Sequence, residues 1–451
     1  MEEVSLQEIL LARETRAEKQ KELQKKYSCP LICFTMNIAG PVKTIPLICR
    51  AFDEGVAMLT PRLLGCQINH REILYHKTGC EAYFSVDADP QMLKNICTRI
   101  EEETGLGRLF DMDIIDKDGT KLTRDTQRGC IVCGKEGRYC AASRAHDVAT
   151  LQRVTNEMIQ DHFAKKDSAH VADLAVQALF DEVHTTPKPG LVDLNNCGSH
   201  TDMDVLSFEK SAHALRPYFA DCVNIGIQTA NLPPQNAFAV LRQRGLQAEK
   251  EMYAATGGVN THKGAVFSMG ILCCSYGRLW KAENQHISVS DIADVASAMT
   301  RDAMENDYLQ MQGKADTVGQ RLLNQYRITG ARGEAADGFP GVFCIGLPAY
   351  KQALQASLSP NDAAAVALIA LISRVADANL YKRGGMEGAQ FAKERANTLM
   401  KAFPHIDMGE IEKLDREFIQ RNLSPGGCAD LLALTLFVHS LQKLEGDRNE
   451  K

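Results

Sequence analysis

The apolar positions change rhythm about a third of the way along the chain. Before that point, short apolar runs end in turn signals. Leu31–Ile38 closes on Ala39-Gly40-Pro41, and Glu81–Val86 forms a second run. Both predict strands. Asp89-Pro90 then opens a segment with Met92, Leu93, Ile96 and Ile100 on one helical face. Asp89 suits the N-cap, Pro90 the first helical position and Gly105 the stop. Leu109–Ile115 predicts a further strand, followed by the hairpin-like turn Asp116-Lys117-Asp118-Gly119. This alternation predicts an α+β domain over residues 1–160.

From about Ala169 apolar residues recur at three and four, and strand-like runs vanish. Val171, Leu174, Ala178 and Leu179 begin the pattern, and Leu206–Leu215, Ala363–Leu380 and Ile411–Ile419 continue it. Glycine and proline now cluster between helical segments, as in Pro187–Gly190, Gly330–Gly341 and Pro425-Gly426-Gly427. The pattern predicts an all-α domain of about a dozen helices over residues 165–451. The boundary falls in the polar stretch Gln160–Ser168, through which a helix can run. The expectation is a multidomain chain, as its 451 residues also suggest.

Composition narrows the class. Hydrophobic residues make up 45% and charged residues 24%, the balance of a soluble globular protein. A net charge of -6 gives no support to nucleic-acid binding, although a local basic pocket for phosphates stays open. The charged segment from Met1 to Gln20 lacks a secretory core. Ala363–Ser373 and Leu431–Leu441 fall short of the roughly 20 residues that cross a bilayer and read as buried helices. Fifteen scattered cysteines fit reduced thiols in a cytoplasmic protein better than a disulfide framework.

The sharpest local signal in the first domain is Asp111-Met112-Asp113. On a strand, both aspartates face one way and Phe110, Met112 and Ile114 the other. Carboxylates at roughly 7 Å repel by about 0.6 kcal/mol in water and about 2.4 kcal/mol at an effective dielectric near 20. A hard divalent cation such as magnesium turns that cost into a site; a solvated strand face is the ordinary alternative. Cys130, Cys133, Cys140 and His146 have ligand types that suit a closed structural zinc site, although the second gap is shorter than in a usual finger. Packed reduced thiols are the alternative.

In the second domain, loops join glycines to charges. They are Thr186-Pro187-Lys188-Pro189-Gly190-Leu191-Val192-Asp193 leading to His200 and Asp202, then Asn260-Thr261-His262-Lys263-Gly264, Gly330-Ala331-Arg332-Gly333-Glu334, Asp377 to Arg383-Gly384-Gly385, and Ser424 to Asp430. Glycines at helix starts let backbone N–H groups approach an anion. Lys188, Lys263, Arg332 and Arg383 add positive charge. Asp193, Asp202, Asp204 and Glu334 are candidates for metal binding or proton transfer. Together the loops suggest a polyphosphate pocket, though none is a Walker-type loop. Singly, each reads as a capped helix end beside a solvated charge.

Two resemblances rest on these residues. Leu11-Ala12-Arg13-Glu14 with Arg16, Gly55-Val56-Ala57, Leu106-Gly107-Arg108 through Ile114, and the ending Cys130, Cys133, Cys140, Ser143-Arg144, His146 together resemble the apo-citrate lyase phosphoribosyl-dephospho-CoA transferase family. The second-domain loops, from about Ala172 to Leu441, resemble the triphosphoribosyl-dephospho-CoA synthase family. The second resemblance implies transfer of the triphosphoribosyl group of ATP to the 2′-hydroxyl of 3′-dephospho-CoA, with adenine leaving. His262 belongs to the nucleotide-binding set so implied.

The first implies a nucleotidyltransferase-like domain. A serine hydroxyl of the acyl-carrier (γ) subunit of apo-citrate lyase attacks the α-phosphorus of that triphosphate, and pyrophosphate leaves. Asp111 and Asp113 would hold magnesium, while Arg13, Arg16 and Arg108 pair with phosphate oxygens; a surface ion pair is the alternative for each arginine. The product of one domain is then the substrate of the other, and fusion raises its effective concentration. A rival reading serves malonate decarboxylase instead, which the citrate-type first domain argues against. Another makes the first domain a zinc-bearing carrier-recognition module beside a helical nucleotide hydrolase. Pyrophosphate release that depends on apo-carrier separates these.

Overall fold

A computed structural model describes residues 2–124, 128–283, 286–311, 318–326 and 328–449. The chain divides into two compact units, Met1–Lys165 with Lys281–Gln285, and Lys166–Trp280 with His286–Lys451.

The first unit contains α1 (Leu6–Tyr27), β1 (Leu31–Met36), α2 (Pro46–Arg62), β2 (Gln67–His76), β3 (Gly79–Asp87), α3 (Pro90–Glu103), β4 (Phe110–Ile115) and the short α4 (Gly137–Ala142). The strands form one antiparallel sheet in the order β2-β3-β1-β4. Each face has its own helical cover. On one, Leu23 of α1 packs with Leu31, Cys33, Tyr83 and Ile115. On the other, Phe34 stacks on Phe52 of α2 at 4.8 Å and meets Phe110 edge-on at 5.2 Å. Gly55 lies where α2 comes closest, and a Cβ there would sit 2.5 Å from the Phe34 ring.

The predicted α3 forms as expected, with the Asp89 carboxylate accepting from Met92 N–H at 2.7 Å. α1 starts on a capping box, in which Glu8 N–H donates to Ser5 Oγ and Ser5 N–H donates to the Glu8 carboxylate. The polar stretch Gln160–Ser168 is helical, because α5 (Val148–His184) runs through it for 37 residues in all.

The second unit continues with α6 (Val205–Gln228), α7 (Pro234–Ala255), α8 (Lys263–Leu279), α9 (Val289–Met311), α10 (Val318–Tyr326) and α11 (Gly330–Ala336). After them come α12 (Leu347–Gln355), α13 (Pro360–Arg374), α14 (Ala378–Leu399), α15 (Met408–Gln420) and α16 (Gly426–Asn449). Among the described residues it holds no strand. Every residue from Ala363 to Ser373 is buried, which makes α13 a core helix. α8 crosses α6 closely, because Gly226 and Gly277 remove side chains where their backbones meet. Among the described residues no single helix is long and apolar enough to cross a membrane.

Candidate functional site

In the first unit the register brings the aspartates together as expected. Asp111 pairs with Thr35 and Asp113 with Cys33, and on the next strand Glu81 and Tyr83 extend the same two rows. Crowding by surrounding protein raises the Asp111 carboxyl above the usual carboxylate range; Asp113's charge adds to this, and Lys121 and Arg128 counter it. Lys121 Nζ pairs with Asp113 at 2.5 Å. Two neighbouring carboxylates that repel one another, offering only oxygen donors, fit a hard divalent cation.

The three arginines are placed differently. Arg16 donates through Nε and Nη2 to one oxygen of buried Glu81, Oε1, at 2.9 and 2.6 Å, and Tyr83 O–H donates to the other. Arg108 donates to the Gly129 carbonyl. Arg13 is exposed on α1. Three cations beside the pair escaped the sequence reading: Lys94 on α3, Lys121 and Arg128. Lys94 is buried, which lowers its pKa, while Asp113's charge works against that shift. Nothing in a helix pattern marks Lys94, since its position is an ordinary step on an amphipathic face. Cys130, Cys133, Cys140 and His146 bring their ligand atoms within 4.8 Å of one another.

In the second unit a cavity of about 310 Å³ collects residues from four of the loops singled out by sequence. The N-termini of α8, α14 and α16 all contribute to it, so three positive dipole ends surround one space, with the N–H groups of Asn379, Leu380 and Cys428 taken up by Asp377. Lys188, His200, Asp202, His262, Lys263 and Arg383 line it. Asp193, Arg332 and Glu334 lie outside the lining.

Each has a definite role in the fold. Asp193 is buried and accepts from the N–H groups of Lys188, Asn195 and Asn196, which ties the loop. Asp204, further on, accepts from Ser207 N–H and caps α6. Glu334 accepts from Gly341 N–H at 2.9 Å, and burial holds its carboxyl above the usual range. Arg332 lies 3.6 Å from Asp307.

Lys188 is 1% exposed, and its Nζ donates to the Glu182 carbonyl at 2.7 Å and to the Glu182 carboxylate at 2.5 Å. Arg383 bonds the Ser199 carbonyl and Asn422, and its Nη2 contacts His200 Nδ1 at 3.2 Å. Lys263 pairs with Glu249 at 2.8 Å. His262 Nδ1 meets Ser211 Oγ at 2.8 Å, whereas its buried Nε2 and the Thr261 hydroxyl have no protein partner. Burial, then the Lys188 charge, push the His262 imidazole down to about 3. It is therefore neutral near pH 7, with one ring nitrogen unpaired in the cavity wall.

Two acidic lining residues were missed as sites. Glu182 sits on the last turns of α5, where it looks like any polar helix position. Asp430 stood within a recognised loop but received no role. Its carboxyl is held well above the usual range by burial, then by the charges of Glu182 and Asp377. A Cβ at Gly264 would run into that carboxylate, which explains the glycine after Lys263. Gly427 likewise lies against the carboxylate of buried Asp377, which caps α14 and accepts from Cys428 N–H.

Comparison with known proteins accounts for both units. Residues 4–162 match the family model described as apo-citrate lyase phosphoribosyl-dephospho-CoA transferase. Residues 168–449 match that of ATP:dephospho-CoA triphosphoribosyl transferase. Protein CitXG of Haemophilus influenzae is 35% identical over 457 residues, covering 97% of each chain. Protein CitXG of Leuconostoc mesenteroides subsp. cremoris is 33% identical over 463 residues, covering 98% of each. The 2-(5''-triphosphoribosyl)-3'-dephosphocoenzyme-A synthase of Haemophilus ducreyi is 38% identical over 331 residues, 69% of this chain and 99% of the relative. The chain therefore belongs to the CitXG family, in which the two transferase families are joined in one polypeptide.

Proposed function

We propose that the second unit builds the citrate lyase prosthetic group and the first attaches it to the lyase's acyl-carrier subunit. The observation that carries the reading is the second-unit cavity. There three helix N-termini, Lys188, Lys263 and Arg383 surround one space beside the raised carboxyl of Asp430. A triphosphate needs several such charges, since a single lysine cannot neutralise it. The transfer breaks the bond from the ribose anomeric carbon of ATP to adenine and forms one to the 2′-oxygen of 3′-dephospho-CoA. The proton lost by that hydroxyl balances the one gained by adenine. Asp430 is suited to give a proton to the departing base, because its surroundings favour its neutral form. Glu182 is suited to receive the hydroxyl proton, with Lys188 holding its carboxylate in place.

In the first unit, the reaction is a nucleotidyltransferase-type displacement at the α-phosphorus by a carrier serine, with pyrophosphate leaving. Asp111 and Asp113 would hold magnesium, which when bound neutralises phosphate charge. Arg13 and Arg108 would pair with phosphate oxygens of the bound substrate, Lys121 and Arg128 supply positive charge near the aspartates, and Arg16 positions Glu81 on the same face. The match of residues 4–162 to a citrate lyase family model supports that carrier over the malonate decarboxylase carrier.

The experiment is adenine release by the full chain with ATP, in the presence and absence of 3′-dephospho-CoA. Release that requires dephospho-CoA and collapses in Asp430→Asn supports the reading. Release of free phosphate without adenine would refute it.

A further inference from the structure

Residues 128–147 hold together with almost no apolar core. Among them only Cys140 is buried. The regular structure there is a single bridge between Gly129 and Glu136 and the six-residue α4. Such a lobe needs a source of order other than hydrophobic burial.

Its chemistry supplies one. The ligand atoms of Cys130, Cys133, Cys140 and His146 all lie within 4.8 Å of one another. Cys133 Sγ and Cys140 Sγ are 3.5 Å apart. A zinc ion about 2.3 Å from each sulfur sets tetrahedral sulfurs about 3.8 Å apart. The turn between the first two cysteines is closed by Gly134 N–H donating to the Cys130 carbonyl at 2.9 Å. Val132 N–H points at Cys130 Sγ at 3.4 Å, a bond suited to a charged thiolate. His146 Nε2 is buried with no hydrogen-bond partner.

We propose that Cys130, Cys133, Cys140 and His146 bind one structural zinc ion that orders this lobe of the first unit. Three thiolates and an imidazole select zinc over magnesium or calcium, which prefer oxygen ligands. Four protein ligands fill a tetrahedron, so no position stays open for catalysis. The consequence reaches the carrier-transfer site through the lobe's base. The Gly129 carbonyl accepts from Arg108, and the Arg128 carbonyl accepts from Gly137 N–H at 3.1 Å. Arg128 in turn donates to the Phe110 carbonyl at 2.6 Å and pairs with Glu101 at 2.7 Å. Metal binding thus fixes Arg108 and Arg128 beside the strand that carries Asp111 and Asp113.

The test is elemental analysis of the purified full chain, with Cys133→Ser and His146→Ala beside it. The expected result is one zinc per chain in the native protein and loss of zinc in both variants. Cobalt(II) substituted into the native protein should give the visible bands of a tetrahedral thiolate site, a readout that does not depend on variant folding. A strong chelator should lower the melting of the first unit while adenine release by the second persists. A chain that stays metal-free after incubation with zinc, and gives no thiolate–cobalt bands, would overturn the proposal. So would a native Cys133–Cys140 disulfide in protein purified under reducing conditions.

Discussion

Replacing Lys188 with methionine separates two roles that one side chain combines. Methionine keeps most of the volume and removes the charge. Lys188 is 1% exposed, and its Nζ makes two bonds to Glu182. Glu182 also lies close enough to Asp430 for its charge to help raise that carboxyl, so losing the lysine leaves an unrelieved acidic cluster. Removing one partner of a buried pair costs about 3–5 kcal/mol. At roughly 2–4 °C per kcal/mol in a unit of this size, the melting temperature falls by on the order of 10 °C. Adding Glu182→Gln removes the stranded charge and should recover most of that loss. Adenine release should not recover, because the triphosphate has lost a charge-assisted bond worth about 1.5–3 kcal/mol, or roughly ten- to a hundredfold in rate, and Glu182→Gln also removes the acceptor of the hydroxyl proton. The assays are calorimetry of the second unit and adenine release at saturating dephospho-CoA. A single variant that melts like the native protein would contradict the buried pair. A double variant with native release would show that Lys188 is structural only and that Glu182 takes no proton in the reaction.

The remaining predictions probe other parts of the account. Asp111→Asn and Asp113→Asn should abolish carrier labelling while leaving adenine release intact; normal labelling by both at limiting magnesium would remove them from the site. Gly264→Ala should cut adenine release sharply, because the new methyl meets the Asp430 carboxylate; native activity would mean that this contact has no bearing on catalysis. His262 gives a pH signature: its folded value near 3 lies below the unfolded value of about 6.5, so between these the unfolded state binds the extra proton. Its stabilising contribution is full above about pH 6.5 and is lost as pH falls toward about 3, with a slope of at most about 1.4 kcal/mol per pH unit. Urea titrations from pH 7 to 4 should show a shallower fall in His262→Asn, and equal slopes would argue against a buried neutral histidine.

The sequence revealed most where one rule decided the outcome. Asp89-Pro90 opened α3 as its cap chemistry required, and alternation put Asp111 and Asp113 on one face. β2 was not foreseen, since Gln67–His76 is a half-exposed strand beside a single neighbour, with no apolar run longer than Ile73-Leu74-Tyr75 to mark it. α1 buries only Leu23, so no apolar period announces it, and its capping box is the one local signal. In the second unit the loops were legible as sites because glycine beside charge is unusual. Their convergence was not, because it depends on how α8, α14 and α16 pack. That packing separates Lys188, Lys263 and Arg383, which share the cavity, from Arg332, which does not line it. Asp193 shows the opposite difficulty: a carboxylate in a motif loop serves the loop's own amides.

The measurement that bears most directly on the two-step account is intact-mass spectrometry of the apo acyl-carrier subunit of citrate lyase. The carrier is incubated with the full chain, ATP, 3′-dephospho-CoA and magnesium. The account predicts one added phosphoribosyl-dephospho-CoA group on a single serine, with adenine and pyrophosphate released in equal amounts. Omitting dephospho-CoA, or using Asp111→Asn protein, should leave the carrier unmodified. An unmodified carrier in the complete mixture, with the malonate decarboxylase carrier modified in its place, would contradict it.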